Sequence, residues 1–343
     1  MITLCLDAFQ SNVHLRTQIK VGCMKIEILT TLNEEFDNTG FGTIQASNSV
    51  LDSIRKMGHI VELNVCKTHD DLHDVVQRKP DLVILASKYM DIKDEDDIWL
   101  SEYFEKNDIN YSGSSSETLK FDFDNILAKS YLRSKGVNTT KYFTATPGEY
   151  KCTFDLPVGY PLLLKPLDAA NSNPIDDLSP IMNFKDFQSK LLSLYELFDA
   201  PVLVEEYIDG PEFTVALLKA NDGDLLVSAI EVIQPEPIKT PKIFGEKVKQ
   251  KTQELRTTKD IIMLNRVKAL AVDAYIDLGI RDFGLINIKT NNYGHCFFME
   301  AKLIPNMTNS SSCFTKACEM EHSLSYDNVI ELIVNEGLSR VAS

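Results

Sequence analysis

The sequence predicts an α/β chain of successive lobes: a parallel α/β unit, then a smaller α/β unit, then a unit closed by a strand hairpin. From residue 24 to about 115, apolar strand-like runs alternate with helical periodicity, the pattern of a parallel sheet covered on both faces. A shorter helix–strand–helix–strand series occupies 122–207. Near the end, LINIK at 285–289 and HCFFME at 295–300 alternate apolar with polar residues around an Asn/Tyr/Gly cluster at 291–294, which is hairpin chemistry.

The elements follow in order. Strand 24–30 leads to a helix near 41–57 that ends at Gly58. Strand 60–65, helix 69–78, strand 81–86, helix 96–106 and a short strand ending at 111–113 complete the first unit. Helix 122–135 stops at Gly136, strand 161–165 ends on Lys165, and helix 184–197 precedes strand 201–207. Strands 212–219 and 225–233, a polar loop 236–258, helix 259–278, the hairpin and helix 325–340 make the last unit. The expected boundaries are a leader or disordered arm at 1–23, lobes at 24–118 and 119–208, and a C-terminal lobe at 209–343. Met24 opens the first clean strand pattern and is the expected natural start.

At 343 residues the chain can form two or three compact lobes, each with its own core. A net charge of −15 argues against a nucleic-acid partner, because phosphate backbones call for a basic surface. No apolar run reaches the ~20 residues of a membrane span, so no membrane partner is expected. The seven cysteines, Cys5, Cys23, Cys66, Cys152, Cys296, Cys313 and Cys318, form no C-x-x-C pair. Scattered in this way, they read as reduced thiols of a cytoplasmic protein. Trp99 carries no signal.

Four stretches hold side chains suited to chemistry. Asn287 and Glu300 fall on adjacent hairpin strands, where they can set two oxygen ligands side by side for a hard cation such as Mg²⁺. Lys302 follows Glu300 by two residues and shares its face. VLVEEYIDGPEFTV at 202–215 joins two strands through a Gly-Pro turn and carries Glu205, Glu206 and Glu212. GYPLLLKP at 159–166 ends an apolar strand on Lys165, and FDNILAK at 123–129 starts a helix carrying Lys129. The plainer readings are surface carboxylates, a lysine that snorkels from a strand end and a lysine on a solvated helix face.

Together these stretches resemble an ATP-grasp ligase, and within that superfamily the D-alanine–D-alanine ligases. The resemblance covers roughly residues 24–340 and is strongest at 202–215. It implies an ATP-grasp fold with an N-terminal parallel α/β lobe, a small central lobe and a C-terminal lobe, the last two clamping the nucleotide. It implies an ATP-dependent carboxylate–amine ligase working through an acyl phosphate, with ATP and Mg²⁺ (or Mn²⁺) as cofactors. Its substrates would be amino acids or peptides, and a homodimer is compatible with it. Carried over, Lys129 and Lys165 would meet phosphates, Glu205 and the backbone around Tyr207 and Ile208 the adenine, and Glu212 the ribose. Ser172, Glu206, Phe298 and Met299 complete the nucleotide set. Asn287 and Glu300 would hold metal. Asn306 would offer its backbone N–H to the oxyanion, and Ser311 would take the second substrate's carboxylate, its plainer role being a helix cap.

The departures are concentrated at the centre. The family's oxyanion arginine falls on Leu285, its bridging Asp on Asn287, its amide ligand on Lys302 and a phosphate lysine on Asn125. The phosphate loop at 167–174 has no glycine, and the acidic residue for the first substrate falls near Phe41. Lys247 or Lys249 would stand for the loop lysine. Lys302 is expected either to pair with Glu300 in place of an ion or to block the site. The expectation is a ligase with changed substrates. The alternatives are a degenerate paralogue that binds nucleotide or a partner without ligase activity, and a true D-alanine–D-alanine ligase.

Overall fold

The computed structural model describes residues 22–31, 40–93, 95–166, 179–220, 223–233 and 254–340. The leader through residue 21, the 167–174 loop with Ser172, and Lys247 and Lys249 lie outside the described residues.

Three parallel strands, β1 (Lys25–Thr31), β2 (Ile60–Cys66) and β3 (Leu82–Leu85), form the first sheet in the order β2-β1-β3. Central β1 is buried from Ile26 through Thr30, as a strand covered on both faces must be. Helix α1 (Ile44–Lys56) buries Ala46, Val50 and Ile54 on one stripe, and α2 (His69–Gln77) starts with a Thr68/Asp71 capping box. Strands β4 (Tyr89–Met90) and β5 (Ile98–Trp99) form a small ribbon ahead of α3 (Leu100–Lys106). Trp99 packs against Tyr89 and Phe123 with ring centroids 5.7 and 6.1 Å away, so it anchors this ribbon.

The helix expected over 122–135 is two helices, α4 (Ser116–Phe123) and α5 (Asn125–Ser134). Asp124 adopts an extended conformation between them and accepts the Leu127 N–H, capping α5. The central unit is an antiparallel sheet, β6-β8-β7, of β6 (Tyr142–Ala145), β7 (Leu162–Pro166) and β8 (Val202–Glu206), covered by α6 (Phe184–Phe198). Its core, including Leu162, Leu164, Phe187, Leu191, Val202 and Val204, is separate from the rest.

The last unit is a five-stranded antiparallel sheet, β11-β10-β9-β12-β13. Its strands are β9 (Glu212–Lys219), β10 (Leu225–Ile233), β11 (Glu254–Arg256), β12 (Phe283–Thr290) and β13 (Cys296–Lys302). Part of the expected polar loop is therefore strand β11, paired with β10 and tied by Arg256 to Glu231 at 2.7 Å. Helices α7 (Ile261–Asp277), α8 (Cys313–His322) and α9 (Tyr326–Ser339) follow; α8 was not expected.

The N-terminal and C-terminal units share one core rather than holding one each. Gly337 of α9 lies so close to β3 that a Cβ there would stand 2.8 Å from Leu82, which is why glycine occupies this turn. Arg340 grips Asp282 through both carboxylate oxygens at 2.6 and 3.0 Å and donates to the Tyr111 carbonyl at 2.7 Å. Phe41, where the first-substrate acid would fall, is 1 % exposed, and its carbonyl accepts the Met307 N–H at 3.0 Å.

Candidate active site

Glu205 organises one half of the cleft. On β8 it stands opposite Leu163 of β7, so Lys165, two residues on, reaches it diagonally on the same face. The Lys165 Nζ lies 2.9 Å from one carboxylate oxygen. Lys129, from α5, donates to the other and to the Thr140 hydroxyl at 3.0 Å. Thr140 in turn donates to Glu205 at 3.2 Å. Lys129 and Glu205 are 1 % and 0 % exposed, so Lys129 is not on a solvated helix face. Burial, then Lys165, pushes the Lys129 ammonium well below its usual value, so its charge depends on the carboxylate it touches. Burial lowers Lys165 as well, opposed by Glu300 and Glu212.

Beyond β8 the chain crosses to β9 through the segment expected to hold a base. Glu206 is half-buried and accepts the Lys141 N–H at 2.7 Å. Tyr207 donates its N–H to the Pro161 carbonyl at 2.9 Å. Lys289 Nζ stands 4.9 Å over the Tyr207 ring and donates to the Ile208 carbonyl at 3.4 Å. On the sheet, Lys289 of β12 pairs with Glu212 of β9, so this lysine belongs to the cleft. Alternation from Asn287 could have found it in the sequence.

The other half lies on the hairpin. Thr214, Asn287 and Glu300 form one row across β9, β12 and β13. The Asn287 carbonyl oxygen accepts from the Thr214 hydroxyl at 2.8 Å, and its amide donates to Glu300 Oε1 at 2.8 Å. Lys302 Nζ lies 3.5 Å from Glu300 Oε2, the two side chains being 35 % and 30 % exposed. Burial alone would raise the Glu300 carboxyl, but Lys302, then Lys165 and the Asn287 amide, hold it at about 2. Glu300 in return raises Lys302 against burial.

A β-bulge between Asn287 and Ile288 resets the hairpin faces. Phe298 is consequently a core side chain, 0 % exposed, which corrects its expected contact with nucleotide. Phe297 instead stands opposite Lys289 on the cleft side, and Met299 is half-buried at the bulge. The backbone of Phe298 bridges to 138–139 at the entry to the central unit, with its N–H on the Asn138 carbonyl at 2.9 Å.

Asn287 and Glu300 do not make a divalent site of ordinary composition. Among the described residues no three His, Cys, Asp or Glu side chains converge. Mg²⁺ favours an oxygen octahedron with carboxylates, whereas here one amide oxygen is spent on Thr214 and the single carboxylate is paired on both sides. At ~4 Å and an effective dielectric of about 20, each unit-charge contact with Lys302 would cost an incoming ion about 4 kcal/mol. Asn306 and Ser311 are exposed beyond β13, and Asn306 accepts the Thr308 N–H at 2.8 Å through its side chain. The cap of α8 is Ser312, not Ser311: its hydroxyl accepts the Thr315 N–H and donates to the Asn306 carbonyl at 2.6 Å.

Residues 132–335 match the family model described as D-ala D-ala ligase C-terminus. A D-alanine–D-alanine ligase of Marinomonas sp. (strain MWYL1) is 26% identical over 277 residues, 78% of this chain and 83% of the relative. One from Aquifex aeolicus (strain VF5) is 24% identical over 301 residues, 85% and 94% of the two chains. Among solved structures, the D-alanine–D-alanine ligase of Bacillus anthracis complexed with ATP superposes with a TM-score of 0.71 at 20% identity, covering 93% of this chain and 98% of that one. The VanG D-Ala:D-Ser ligase of Enterococcus faecalis gives 0.70 at 17% identity, covering 92% and 100%.

Proposed function

The chain belongs to the D-ala D-ala ligase family and has its ATP-grasp fold, and from that premise we propose an ATP-dependent carboxylate–amine ligase with substrates other than the family's usual pair. The observation that carries this is the convergence of Lys165 and Lys302, from β7 and β13, on one cleft beside the 205–208 crossing, with Lys129 of α5 buried behind them on Glu205. Lysines there are point charges for phosphate oxygens. Glu205, expected at the adenine, is wholly buried on Lys129 and Lys165, so the Tyr207–Ile208 backbone, with Glu206 beside it, would take the base, Glu212 the ribose, and Met299 would line the pocket.

In the reaction a substrate carboxylate oxygen attacks the γ-phosphorus and ADP leaves, giving an acyl phosphate. An amine then attacks the acyl carbon, phosphate departs and the amide forms. Lysine ammoniums neutralise the phosphoryl charge as it transfers. The Asn306 backbone N–H would serve the tetrahedral oxyanion, and Ser311 would receive the second substrate's carboxylate. Changed substrates are supported by Phe41, whose buried ring supplies no acid for a substrate ammonium, and by Leu285 at the oxyanion arginine's position. The test is ADP release across a panel of D- and L-amino acids and dipeptides. Turnover with one acid–amine pair is expected. ATP binding without ADP release for any pair overturns the ligase reading and leaves a nucleotide-binding protein.

A further inference from the structure

Three ammonium groups, Lys129, Lys165 and Lys302, share the cleft with two carboxylates, Glu205 and Glu300. With Lys289, Glu206 and Glu212 of the same cleft the charges balance, and on the hairpin row Glu300 is matched by Lys302, while a divalent-cation site needs an excess of negative oxygen. The acid of the hairpin row, Glu300, has one oxygen on the Asn287 amide and the other facing Lys302. The Asn287 carbonyl, the remaining oxygen of that row, is held by Thr214. Each of these oxygens thus already has one partner, and the group standing beside Glu300 is an ammonium rather than a second oxygen ligand. An ammonium beside an already neutralised carboxylate suits phosphate oxygens.

We propose that this cleft binds a nucleoside triphosphate without a divalent ion at Asn287 and Glu300, Lys302 standing between Glu300 and the phosphates where the ion would sit. This rests on the nucleotide-site reading above and adds the identity of the counter-charge. Lys302 is 35 % exposed at its side chain, open enough to exchange part of its contact with Glu300 for a phosphate oxygen. Lys129 has no such freedom, and its role stays with Glu205.

Calorimetric titration of the full chain with ATP and with adenosine, each in excess EDTA or excess MgCl₂, tests this. ATP affinity in EDTA is expected to stay within about threefold of that in Mg²⁺, about 0.7 kcal/mol. Lys302→Ala should weaken ATP in EDTA by about tenfold, the worth of one charged contact, and leave adenosine nearly unchanged. Lys302→Arg should restore ATP, which a general loss of folding would not allow. ATP binding that disappears in EDTA and returns with Mg²⁺ overturns the proposal and leaves the nucleotide site standing. So does Lys302→Ala that strengthens Mg²⁺-dependent binding, because the lysine would then be an obstacle. No binding of either ligand under any condition overturns the nucleotide reading together with it.

Discussion

Glu205 and Glu300 face one cleft and both pair with lysine, yet their circumstances are opposite. Glu205 has no exposed surface, and its partners come from two other elements, a helix and a neighbouring strand. Glu300 is 30 % exposed, and its lysine sits two residues along its own strand. A wholly buried pair is costly to break because the surviving charge is stranded. A half-open pair is screened and cheap to rearrange. The first therefore fixes where α5, β7 and β8 lie, and the second keeps a cation available to a ligand.

The strongest break of this contrast is Glu205→Ala, which leaves two ammoniums facing each other without their counter-ion. It should cost about 3–5 kcal/mol in denaturant unfolding. A loss under about 1 kcal/mol would mean that water reaches the pair. Next comes the pH dependence of Glu300. Its carboxyl is held at about 2 against an ordinary 4.5, so the ionised form favours the fold. That stability is complete above about pH 4.5 and lost as the pH falls toward 2, on the order of 3 kcal/mol before solvent in the cleft screens it. The gap between wild type and Glu300→Gln should accordingly narrow across that window, and a gap independent of pH would show that the carboxylate is not held down.

Double-mutant cycles sharpen the contrast further. The Lys302/Glu300 coupling should be about 0.2–1 kcal/mol and should shrink in salt, well below the Lys129/Glu205 coupling. Equal couplings would erase the distinction. The smallest effect repeats the theme at two neighbouring serines. Ser312→Ala should lose about 1 kcal/mol from the α8 cap, while Ser311→Ala should stay within about 0.5 kcal/mol. A reversed order in thermal melts would put the cap at Ser311.

Much of this was legible in the residues. Strict alternation revealed both hairpin arms and set Asn287 beside Glu300, because a period of two leaves little freedom of register. What the sequence hid has specific causes. Asp124 interrupts a run whose apolar spacing continues, and only its backbone conformation separates α4 from α5. The bulge opposite the Asn287–Ile288 step leaves Met299 of β13 unpaired without altering the apolar pattern, so Phe297 rather than Phe298 falls on the cleft face. Three serines precede α8, and composition cannot say which hydroxyl meets the Thr315 N–H. Thr140 reaches the site from outside any strand or helix and no spacing announces it, whereas Thr214 follows Glu212 by two on β9 and alternation could have found it.

The packing of Gly337 on Leu82 and the Arg340–Asp282 clasp have a mechanical consequence. Two of the three larger sheets among the described residues are welded through one interior. The β6-β8-β7 sheet, with its own interior, is tied to them by the backbone bridge of 138–139 onto Phe298 and by the buried Lys129–Glu205 pair. Because Ala128 and Leu132 of α5 belong to the larger interior, that pair acts as a rivet: sliding the small sheet against the other two would strand both charges out of water.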